Sequence, residues 1–136
     1  MKIPANTEYF HYKNLNPRNL RTGDCVIRAC AHAFKKSWDE VFDELILLSK
    51  MKKEMPTAQR LYQAYISNQN VKKLDDKELK NKYNKRYSVR EWCDLHPTGL
   101  YLVKVSGHLT VVDNGIIIDT WNCGRCKCFK IYQVEG

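Results

Sequence analysis

The apolar positions of this chain change period part-way along it. From Asp24, residues Val26, Ala29, Cys30 and Ala33 recur at helical spacing, with Asp24 as the expected N-cap. Ser37 opens a second helix, because Glu40 three residues on completes a capping box and Trp38, Val41, Phe42, Leu45 and Leu48 share one apolar face. The polar run from Lys50 to Glu54 ends it. Pro56 suits the first turn of a third helix carrying Leu61, Tyr62, Tyr65 and Ile66. A second capping box, Ser88-Val89-Arg90-Glu91, opens a short helix through Trp92 and Leu95 that His96-Pro97-Thr98-Gly99 breaks. After Gly99 the pattern turns to strands: Leu100 to Val105, then Leu109 to Asp113 and Ile116 to Trp121 flanking Asn114-Gly115, and finally Cys128 to Val134. Residues 1–22 are polar, with a loop expected over Asn14 to Asn19. Residues 68–87 fit a loop and a marginal helix equally. Helices first and an antiparallel sheet after them make an α+β fold, read as a single domain over 1–136.

Composition narrows the class. With 43% hydrophobic and 28% charged residues in 136, the chain reads as an ordinary globular domain able to bury a core without staples. It has no apolar run long enough for a membrane span and no signal-peptide pattern at its start, so an intracellular, cytoplasmic protein is expected. A phage-encoded product would look the same. In that setting its six cysteines stay reduced, which turns attention to catalysis or metal binding. The net charge of +8 is concentrated between Lys50 and Arg90. Such a field attracts nucleic acid or acidic partners, but a solvated lysine coat that maintains solubility is the favoured reading.

Candidate chemistry sits where the two periods meet. Cys25 begins the first helix, where unpaired N–H groups and the helix dipole favour a thiolate. Cys30, in the interior of the same helix, reads as a small buried apolar residue. Of four histidines, His32 lies roughly 10 Å along the helix from Cys25, too far for proton transfer. His11 and His96 fall in the N-terminal segment and in a turn, and read as ordinary residues. His108 follows a glycine at the mouth of a strand and can project toward a helix end. A two-residue Asn114-Gly115 turn pairs Asp113 with Ile116 and Thr110 with Asp119. Alternation then places His108, Thr110 and Asp119 on one face and Asp113 on the other. Asp119 is therefore the expected partner of the imidazole, a choice that a three-residue turn would reverse. An oxyanion hole would draw on the Cys25 N–H and a side-chain amide from the preceding loop, with Asn19 better placed than Asn16.

The segments Gly23-Asp24-Cys25-Val26-Ile27-Arg28-Ala29, Gly107-His108-Leu109-Thr110-Val111-Val112-Asp113-Asn114-Gly115 and Asp119-Thr120-Trp121 resemble the papain-like cysteine peptidase superfamily, in particular a group of small proteins of bacteria and their phages. The resemblance runs from about Thr22 to Trp121. It implies a papain-like core, Cys25 as nucleophile, His108 as general base and acid, and Asp119 as the orienting residue, with no cofactor. Asn19 stands where such enzymes place a glutamine, one methylene longer. The superfamily spans peptidases and isopeptidases, cell-wall amidases, deamidases and transglutaminases, and shared geometry does not choose among them.

A second cluster, Cys123-Gly124-Arg125-Cys126-Lys127-Cys128, offers a half-site for zinc, a redox pair or incidental thiols on a turn. Cys93 is a further ligand if the fold brings it near. Incidental thiols are favoured, since no second C-x-x-C pair and no suitably spaced histidine accompanies them. The expected function is a thiol hydrolase acting on protein or peptide through a Cys25 acyl-enzyme. A related acyl-transfer enzyme is the first alternative. The second is a non-catalytic basic module binding nucleic acid or an acidic partner through residues 50–90.

Overall fold

The computed structural model describes residues 2–135. Helices α1 (Cys25–Phe34), α2 (Trp38–Lys52), α3 (Gln59–Ser67) and α4 (Val89–Leu95) surround strands β1 (Phe10–Tyr12), β2 (Val71–Lys73), β3 (Leu100–Val105), β4 (His108–Asp113), β5 (Ile116–Asp119) and β6 (Lys130–Val134). The strands form one sheet in the order β1-β5-β4-β3-β6-β2. The fold is α+β, as expected, but the sheet is mixed rather than antiparallel, because β1 runs parallel to β5 with Phe10 opposite Ile117 and Tyr12 opposite Asp119. A three-residue strand has too few positions to display a period, so nothing in the N-terminal pattern announces β1.

Local chemistry explains most boundaries. In both capping boxes the serine Oγ accepts from the backbone N–H three residues on, at 3.0 Å for Ser37 and 3.1 Å for Ser88. The glutamates return the bond to the serine N–H at 3.2 and 2.9 Å. Lys53 stops α2 in left-handed backbone, and Pro56 lies in a turn closed by the Ala58 N–H on the Met55 carbonyl, so α3 starts at Gln59 instead of at the proline. Asn114 and Gly115, with φ of 49° and 76°, form the two-residue hairpin turn. Asp113 accordingly faces Ile116. The returning strand ends at Asp119 instead of Trp121. The last strand starts at Lys130, since Cys128 donates its N–H to Tyr87 and Lys127 bridges Ser88 beforehand. Residues 68–87 are mostly turn and loop, with no α-helix beyond α3. They hold β2 and a 3-10 turn over Asp76–Leu79, anchored by buried Leu79 and by Arg86, which pairs with Asp76 at 2.7 Å.

Both faces of the sheet are covered, which is why β3 reads as a nearly continuous apolar run. Leu102, Leu109, Val111 and Tyr132 pack under α1, α2 and α3. Val103, Val105, Val112, Ile117 and Ile131 pack on the other face against Trp92, Phe10 and the buried Cys93, Cys123 and Cys128. α1 brings its N-terminus to the start of β4.

Candidate active site

Cys25 and His108 meet where the first turn of α1 lies against the start of β4. The Cys25 sulfur is hydrogen-bonded to the His108 imidazole and to the Leu109 N–H. His108 Nε2 lies 2.6 Å from Asp119 Oδ2, which leaves Nδ1 for the sulfur. Asp119, on the face predicted from the hairpin register, also accepts from Thr110 Oγ1 at 2.7 Å, from its neighbour Thr120 N–H at 2.7 Å and from Arg28 Nη1 at 3.0 Å. Asp113 points to the other side, as parity requires, and takes His32 Nε2 at 2.9 Å. Trp121 rests against the imidazole, with ring centroids 4.9 Å apart.

The electrostatics follow from these contacts. Burial raises the Cys25 thiol, but the hydrogen bonds from His108 and Leu109 and the charges of His108 and Arg28 outweigh it and hold the thiol below its ordinary value. Burial opposes the imidazolium too, yet Asp119 and the thiolate raise His108 to about 9. Asp119 is pushed up by burial and pulled down further by His108, Thr110 and the Thr120 amide, so it stays a carboxylate. Lowering one partner and raising the other favours a thiolate–imidazolium pair at neutral pH.

A second layer of this site is not evident from spacing alone. Arg28, one turn after Cys25, donates from Nε to Asp24 Oδ1 at 2.8 Å while its Nη1 reaches Asp119. Asp24 Oδ2 accepts from Asn16 Nδ2 at 3.0 Å and Trp38 Nε1 at 2.9 Å. Asp24 does occupy the N-cap position of α1, but its carboxylate makes no capping bond and instead ties three elements together. The i, i+4 spacing of Asp24 and Arg28 was the one local signal available for this chain of contacts.

The loop asparagines do not reach the sulfur. Asn19 stands exposed in left-handed backbone, its N–H on the Asn16 carbonyl, and lies outside the cavity over Cys25. Asn16 is buried with its amide on Asp24. Turn chemistry and the Asp24 carboxylate use up this loop's polar groups. The side-chain amide that does line the cavity is Gln59, at the start of α3. That cavity, about 600 Å³, opens directly on Cys25 and His108 and is walled by Val26, Phe42, Leu45, Ile46 and Tyr62.

Among the described residues, Cys123, Cys126 and Cys128 gather into no three-ligand group. Cys123 instead places its sulfur within 4.8 Å of ligand atoms of His108 and Asp119. The Arg28 guanidinium on the same carboxylate works against a cation there. Cys123 contacts Thr110, and burial pushes its thiol up. The basic residues between Lys50 and Arg90 are mostly exposed and are distributed over α2, α3, β2, the 3-10 turn and α4. No described helix is long and apolar enough to cross a membrane.

Comparison with known proteins adds no family: no family model matches the chain, and no curated protein or solved structure is significantly similar to it.

Proposed function

We propose that this protein is a thiol hydrolase of the papain-like kind, a peptidase or isopeptidase working through a Cys25 acyl-enzyme. The observation that carries this reading is the hydrogen-bonded series Cys25–His108–Asp119 at the N-terminus of α1, opening on a cavity. The Cys25 thiolate attacks the scissile carbonyl carbon. The oxyanion that forms is met by the Cys25 N–H, one of the amides a helix start leaves without an intrahelical acceptor. The tetrahedral intermediate collapses as the imidazolium passes its proton to the departing amine nitrogen, and the C–N bond breaks. Neutral His108 then takes a proton from water, whose oxygen attacks the thioester. The C–S bond breaks, the product leaves as a carboxylic acid, and the thiolate–imidazolium pair is restored. Asp119 orients the ring through Nε2 and stabilises its charged form.

Iodoacetamide near neutral pH tests the reading. Cys25 should be alkylated well ahead of the other five cysteines, and His108→Ala should remove that advantage. Six thiols that react alike, at the rate of ordinary cysteine, would defeat it. A pool of peptides incubated with the enzyme should then yield cleavage products that a Cys25→Ala variant does not produce.

A further inference from the structure

Lys104 breaks the pattern of its strand. In a run of buried apolar residues on β3 it is nine-tenths buried, on the face that carries Leu102 toward the helices. It sits opposite Leu109, whose N–H contacts the Cys25 sulfur, and it lines the cavity over Cys25. Among the described residues, the other buried charged groups, Asp24, Arg28, Asp119 and His108, satisfy one another in ion pairs. Among the described residues Lys104 has no carboxylate partner. Its Nζ donates to the backbone carbonyl of Val105, and its cross-strand neighbour on β6 is a second lysine, Lys130. Burial pushes its ammonium down, the Cys25 thiolate pulls it up, and Lys130 pushes it down again.

A buried ammonium that no carboxylate neutralises is costly, and in a largely apolar pocket a single placed charge fixes the orientation of a ligand. We propose that Lys104 is a specificity-determining residue that binds a substrate carboxylate close to the scissile carbonyl, while the apolar wall of Val26, Phe42, Leu45 and Tyr62 takes a bulky neighbouring group. This rests on the thiol-hydrolase reading of Cys25. The substrate class is thus a peptide with an apolar residue next to a carboxylate, provided either by an acidic side chain or by a free C-terminus.

Two reagents of nearly equal size separate recognition of charge from activation of the thiol. Iodoacetate and iodoacetamide both react by attack of the Cys25 sulfur on the CH2 carbon with loss of iodide, so a change in thiolate fraction scales both rates alike and leaves their ratio unchanged. The iodoacetate-to-iodoacetamide ratio at Cys25 should exceed that of an unstructured cysteine peptide by about tenfold or more, as expected for a charge pair at short range in a partly desolvated site. Lys104→Met and Lys104→Gln should each collapse most of that excess, and Lys104→Arg should retain it, with circular dichroism confirming that each variant is folded. An unchanged ratio in both neutral variants, with Cys25 still fast toward iodoacetamide, overturns the assignment and leaves the hydrolase reading standing. A Cys25 no faster than the peptide thiol with either reagent removes both. Cleavage of matched peptides identifies the source of the carboxylate. Loss of turnover on C-terminal amidation assigns a terminal carboxylate, and dependence on an internal Glu that ignores amidation assigns a side chain. Turnover indifferent to both refutes the proposal.

Discussion

Cys25 and Cys30 lie on the same helix, about 7.5 Å apart by helical rise, and their chemistry diverges. Both lose solvent, and burial raises both thiols. At Cys30 little opposes it. The residue is fully buried among Ala29, Ala33 and the neighbouring side chains of α2 and α3, and the nearby Cys25 charge raises it further. At Cys25 the first turn of α1 meets the start of β4, where an imidazole and an N–H both point at the sulfur. The difference lies in donors as well as in exposure, since Cys25 is half-buried where Cys30 is fully buried. A helix end supplies positive potential only where its amides are free, and one further turn takes a thiol out of reach of it.

The strongest way to break the contrast is His108→Ala. It should lower hydrolysis by about a thousandfold, within the usual range for losing a general base, and move the Cys25 alkylation midpoint up to or past the ordinary thiol value of about 8.5. Stopped alkylation followed by mass spectrometry across pH measures this. Asp119→Ala should come next. It leaves His108 unoriented and Arg28 with only Asp24, and it should cost about 3–5 kcal/mol in chemical denaturation, the usual penalty for breaking a buried ion pair, together with a loss of turnover.

The pH dependence sharpens the same comparison. His108 is raised to about 9, so the imidazolium that protonates the leaving amine is present below that pH and lost above it. Hydrolysis should fall about tenfold per pH unit beyond about 9, since the rate follows the protonated fraction. The stability that His108 gains from its partners has the same sign. It is fully present below the unfolded value of 6.5 and is lost as pH rises through about 9. A urea titration series at pH 6 and pH 10, run on the wild type and His108→Ala, should show the larger loss in the wild type, because the buried thiols, raised by burial, lower stability at pH 10 in both.

Cys30→Ser moves the other way. A hydroxyl placed in that apolar site should cost about 1–3 kcal/mol of stability and leave the alkylation rate of Cys25 unchanged. The smallest effect is expected at Asn19→Ala, within about twofold in turnover, because Asn19 is exposed and stands away from the cavity. A large loss there would return the loop amide to the oxyanion site.

How far the sequence reached depended on the range of the interaction concerned. The two serine caps, the Asn114-Gly115 turn and the choice of Asp119 over Asp113 all rest on contacts within a few residues or on strict alternation from a two-residue turn. Those are decided by local stereochemistry, and they could be read directly. The parallel pairing of β1 depends on a partner more than a hundred residues away, and three residues carry no period to announce it.

The candidate site divides along the same line. Cys25 at a helix start and His108 with Asp119 on one face of a hairpin were determined by the sequence, since helix phase and strand parity follow from residue order. Only the tertiary structure decided that the helix start lies against the mouth of β4. It also decided that Arg28, paired with Asp24, reaches Asp119 91 positions away, that Asn19 faces solvent, and that Lys104 lines the cavity with no carboxylate partner among the described residues. Each of these is a meeting of side chains from separate elements. Such meetings are set by how two faces of a sheet are covered, and neither period nor propensity along the chain encodes them.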